Sequence, residues 1–185
     1  MPSLLNRAPF LRRPVLAKKG GILALFIIAA LAAAGFYPLH FLQIENPRTG
    51  KVLLVRSVLV KDKFSLSYKH SVELCRIWDW YLVDDGYRLI LDETVFGSSN
   101  TGLPAILGEG EKISRENNNY RIANMRRVLS RVDFWVNKKY ENTLEFAGEE
   151  INLPSLAGDS LLRLSIRQAS LFEFACKKVL AFITL

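Results

Sequence analysis

From Gly20 to Leu39 the chain carries no charged residue, and every charge before Gly20 is positive: Arg7, Arg12, Arg13, Lys18 and Lys19. A helix of that length rises roughly 30 Å, the thickness of a bilayer's hydrocarbon. Cations on its N-terminal side hold that end in the cytoplasm. The expectation is a basic cytoplasmic tail over residues 1–19, a transmembrane anchor over 20–41, and a domain on the periplasmic face of the inner membrane. The alternative product is an exported domain cut after Ala32-Ala33-Ala34, with cleavage at Ala34, because small residues there suit signal peptidase.

The same charge map limits the partners. Of the net +7, the first 41 residues supply +5, so the rest, with 20 basic and 18 acidic residues, is nearly balanced. Phosphate-backbone binding needs a basic stripe, so the expected partner is the membrane and not nucleic acid. The two cysteines, Cys75 and Cys176, are too few for a disulfide framework, and whether they pair is open.

Beyond the turn pairs Asn46-Pro47 and Thr49-Gly50, the chain reads as short strands over 42–167. "KVLLVRSVLV" is rich in β-branched residues. "KFSLSYKH" alternates, with Phe64, Leu66, Tyr68 and His70 on one face and Lys63, Ser65, Ser67 and Lys69 on the other. "RIWDWYLV" and "YRLILDETVF" form a hairpin through Asp85-Gly86. Further strands, "RVDFWVN", "NTLEFA", "EEINL" and "LLRLSIR", follow at close spacing. The fold class is all-β, a sandwich-like or partly open barrel of short antiparallel strands. Residues 168–185 read as a short amphipathic helix. Glu173, Lys177 and Thr184 share its polar face, and Leu171, Phe174, Ala175, Val179, Phe182 and Ile183 its apolar one. That face packs on the sandwich, lies in the membrane interface or docks a partner helix.

The densest chemistry lies in "SYKHSVE". A serine nucleophile at Ser71 with His70 as its base conflicts with strand geometry, because neighbours on a strand point to opposite faces. No G-x-S-x-G elbow occurs. A metal held by His70, Glu73 and Glu93 has one imidazole in the domain, a poor supply for zinc. Glu73 and Glu93 as an acid–base pair require a separation that sequence does not give. The remaining reading is structural: His70 faces the core and hydrogen-bonds Glu73 or Glu93, because buried polar groups need partners. The loop "FGSSNTGLP" is either a backbone anion nest or a restricted turn.

Three blocks of residues carry a resemblance. They are Tyr68, His70, Ser71 and Glu73; then Glu93, Thr94, Phe96 and Ser98; then Gly102, Leu103 and Pro104. Over about Ile44 to Arg167 the chain resembles the bacterial family called domain of unknown function 1850, departing from its pattern at Cys75 and at Asn100-Thr101. The resemblance implies a small anchored or exported protein, encoded beside TAXI-type TRAP transporters of organic acids, with those eleven residues as its ligand or structural motif. The expected function is therefore a non-catalytic accessory role in solute transport, without a cofactor. The alternatives are a small-ligand module with a His70/Glu73/Glu93 pocket and a hydrolase or metal-dependent enzyme.

Overall fold

The computed structural model describes residues 16–72, 74–97 and 107–183, and the chain divides into two units, residues 1–37 and 38–185. The first unit holds one helix, α1 (Leu16–Gly35). It ends where the Phe36 and Tyr37 N–H groups close on the carbonyls of Ala32, Ala33 and Ala34. Pro38, with its fixed φ and no N–H to donate, then opens a strand. Leu39 to Phe41, expected at the end of the anchor, therefore belong to the sheet. The uncharged part of α1, Gly20 to Gly35, rises only about 24 Å at 1.5 Å per residue. Among the described residues no helix is long and apolar enough to cross a membrane.

The second unit is built from two antiparallel sheets. The smaller takes β1 (Pro38–Glu45), β2 (Val52–Ser57), β9 (Val132–Val136) and β12 (Ser160–Ser170), in the order β2-β1-β12-β9. The larger runs β11-β10-β3-β4-β5-β7-β6 through Glu149–Asn152, Thr143–Phe146, Lys63–Lys69, Arg76–Val83, Leu89–Phe96, Asn119–Ala123 and Lys112–Glu116. β8 (Arg127–Leu129) also pairs with β5. Among the described residues the strands divide between these two sheets and neither closes on itself, a sandwich-like arrangement. One core joins their inner faces: Leu42, Ile44, Leu162 and Leu164 from the small sheet meet Phe64, Leu66, Tyr81 and Leu144 from the large one. A smaller cluster of Ile77, Phe96, Ile122 and Met125 extends it.

Local chemistry sets the turns. β6 and β7 join through Asn117 and Asn118, both at positive φ, and β10 and β11 through Ala147 and Gly148, also both positive. These are the primed hairpin turns whose twist matches the strands. The expected β4–β5 hairpin is present. Its left-handed residue is Tyr87, at φ 56°, and not Gly86. The Asp84 carboxylate accepts the N–H groups of Gly86 and Arg88 and the Arg88 guanidinium, fixing the turn one residue further on. Tyr87 then stacks on His40 with ring centroids 3.6 Å apart.

The C-terminal helix α3 spans Leu171–Ile183, because β12 continues to Ser170. Ser170 and Glu173 form a reciprocal cap: the Ser170 hydroxyl accepts the Glu173 N–H, and the Glu173 carboxylate accepts the Ser170 N–H. The helix lies on the outer face of the small sheet, with Phe174 against Phe41 and Ala181 buried. Its faces differ from the expected ones. Lys177 turns inward, its Nζ 5.3 Å from the Phe41 ring centroid and 3.5 Å from Gln43 Oε1, so that a cation–π contact and a carbonyl satisfy the charge. Leu171 and Val179 are exposed instead.

Candidate functional site

β4 alternates Ile77, Asp79, Tyr81 and Val83 along the inner face of the large sheet; Ile77, Tyr81 and Val83 are buried. Asp79 thus stands in an apolar register. Leu66 on β3 and Thr94 on β5 are its direct neighbours across the sheet. Thr94 Oγ1 donates to Asp79 Oδ1 at 2.9 Å, and the Tyr68 side chain also hydrogen-bonds the carboxyl. Burial raises the Asp79 pKa to about 6, against the opposing pull of these two hydrogen bonds. Burial first, and the Asp79 charge second, push the Tyr68 phenol far above its usual range, and the same two causes act on Tyr81. Tyr68 therefore remains a donor, and Asp79 is a carboxyl that changes protonation close to neutrality.

Glu93 points the other way. It lies opposite Trp80 on the outer face, and its Oε2 is 2.7 Å from an Arg121 guanidinium nitrogen. Glu116 approaches the same arginine at 3.8 Å. Of the two partners expected for His70, Glu93 is instead held in an ion pair that ties β5 to β7, and Glu73 lies outside the described residues. Adjacent residues on a strand face apart, which separates Glu93 from Thr94. On this outer face Ser65, Ser67 and Thr143 are buried beside Trp78. Arg76 donates to the Ser67 hydroxyl at 2.9 Å.

His70 stands past the end of β3 and not on its core face. Its N–H donates to the Cys75 carbonyl at 2.8 Å and its carbonyl accepts from Leu74 at 3.1 Å, so its backbone closes the turn into β4. The ring Nδ1 accepts the Val72 N–H at 3.4 Å. With Tyr68, Ser71, Trp135 and Tyr140, His70 lines a cavity of about 330 Å³. The turn lifts two large apolar side chains into solvent: Val72 is 68% exposed, and Leu74 is 60% exposed with φ at 54°. A leucine in the left-handed region is strained by about 1–2 kcal/mol. At the base of the turn Gly97 passes Cys75 so closely that a Cβ on Gly97 would lie 3.1 Å from that of Cys75.

Of the other expected site residues, Phe96 is buried core, stacked on Tyr120. Glu73, Ser98, Gly102, Leu103 and Pro104 lie outside the described residues. The structure brings Tyr68 and Thr94 together on Asp79, and it brings His70 and Ser71 to the neighbouring turn. Asp79 is the residue sequence reasoning missed. Its signal was available: an acid at the one polar position of an Ile-x-Asp-x-Tyr-x-Val alternation. Among the described residues no three His, Cys, Asp or Glu side chains converge as a metal site. Cys75 and Cys176 are both free thiols.

Residues 64–153 match the model of a family described as a domain of unknown function (DUF1850). The match runs from β3 to the short helix α2 (Leu153–Ala157), and so includes the large sheet's central strands and the His70 turn. No curated protein and no solved structure matches the chain.

Proposed function

We propose that this chain, with its DUF1850 region over residues 64–153, is a membrane-tethered accessory protein of a solute uptake system, of the TAXI-type TRAP class, and that it works through contacts and not through catalysis. The observation that carries this reading is the His70 turn. It presents Val72 and Leu74 to solvent on a short, hydrogen-bonded loop and holds Leu74 in a strained conformation. Exposed apolar tips on rigid hairpins suit binding to another surface, and strain of this kind collects at functional positions. Glu93, engaged by Arg121, supports the same reading, because a carboxylate held 2.7 Å from a guanidinium is a brace between strands. The tether is supported by the sequence, through the uncharged run from Gly20 and the cations before it, which would put the β domain on the periplasmic side.

The test is co-purification from native membranes. Val72→Glu with Leu74→Glu is expected to abolish retention of the transporter's membrane subunits and leave thermal stability within a degree or two of the parent. Retention unchanged by the double substitution would remove the tip from the account. The cavity beside His70 favours a second reading, a site for a small organic acid. Trp135 lines that cavity, so a saturable change in its fluorescence on addition of dicarboxylates would support the ligand reading over the contact one.

A further inference from the structure

β2 is one edge of the small sheet and β11 one edge of the large sheet, so the sandwich is open along that side. Arg56 and Glu149 clip the opening with an ion pair at 3.1 Å. Beside the clip runs a groove of about 750 Å³, bounded by β2, by Ile151 and Leu156, and by Ala175 and Val179 of α3. Four consecutive residues of β2, Leu53 to Arg56, line it. Successive strand residues point to opposite faces, so a space that touches all four lies along the strand's free edge, between the sandwich mouth and the helix. Its size is that of a site for a small amphiphile.

The charged groups lining the groove leave a net positive charge. Arg56 is offset by Glu149, whereas Lys178, also on the rim and exposed, makes no ion pair among the described residues. An apolar trough with one uncompensated cation at its mouth is complementary to a long chain that ends in an anion. We infer that this groove binds the acyl chain of a long-chain carboxylate, with the carboxylate at Lys178. Burying the chain against leucine, isoleucine and valine supplies the affinity, and the charge sets its direction. This assignment does not rest on the transport reading, and each stands if the other fails.

The experiment uses the full chain in its native membrane and a photoreactive, clickable palmitate analogue with its diazirine in the mid-chain. Adducts are expected in peptides containing residues 53–56 or 175–181, competed by excess palmitate. Lys178→Glu is expected to reduce them at least tenfold, and Ala175→Trp, which fills the groove from an exposed helix position, to abolish them. A hexadecanol analogue of the same length is expected to label at least tenfold less. Adducts confined to the uncharged N-terminal run, or undiminished by both substitutions, would overturn the inference. Equal labelling by the alcohol would also overturn it, because the cation would then play no part. A benzophenone at Val179 that captures protein in place of the probe would replace the carboxylate by a polypeptide occupant.

Discussion

Asp79 is a carboxyl on the apolar face of a sheet, held by Tyr68 and Thr94, with a pKa raised by burial from 3.8 to about 6. The fold favours its protonated form. The associated stability is complete below pH 3.8 and is lost as pH rises through 6, with no further change above. Asp79→Asn keeps an acceptor for both hydroxyls and removes the charge. It is expected to melt with the parent near pH 4 and to exceed it by up to about 3 kcal/mol at pH 8. Equal differences at the two pH values would show that Asp79 is ionised without cost. Leu74→Gly makes a complementary case. Relief of the left-handed strain, less the freedom glycine gains in the unfolded chain, should stabilise by about 0.5–1 kcal/mol and weaken partner retention. A lower melting temperature would place compensating contacts at Leu74. At this scale legibility depended on locality. Asp79 broke an alternation visible within eight residues, whereas the Glu93–Arg121 pair follows from the β5–β7 register, which no local pattern encodes.

The elements were most legible where a turn is written in adjacent residues: the β4–β5 hairpin follows from two alternating runs. The start of α3, expected at 168, lies three residues later, because β12 runs on to Ser170 and the Ser170–Glu173 reciprocal cap opens the helix there. The rotation of α3 was not legible, because it depends on what lies beneath. Phe41 and Gln43 draw Lys177 inward and leave Val179 out. Phe41 and Val55 are buried on or beside the face that α3 covers. Ending the chain after Ser170 should therefore lower stability, by about 2 kcal/mol for each large apolar side chain uncovered. A melting temperature unchanged by the truncation would mean that α3 contributes no packing to the sandwich.

For the whole molecule, frequent turn signals between short alternating runs were enough to indicate antiparallel β structure. The strand order was not, since β12 returns across most of the domain to lie between β1 and β9. The same return sets Pro38 opposite Ser170, so the chain enters the domain beside the start of α3. Topology is checked by fusing after Leu185 a reporter active only outside the cytoplasm. Activity is expected, and activity of a cytoplasm-only reporter in its place would reverse the orientation. The claim on which the account turns is that the His70 turn meets another protein. Its most direct measurement is a photoreactive amino acid at Val72 of the full chain, irradiated in native membranes. The account predicts one discrete adduct with a membrane subunit of the transporter, lost when Leu74→Glu is added; no protein adduct at Val72, alongside adducts elsewhere on the domain, would contradict it.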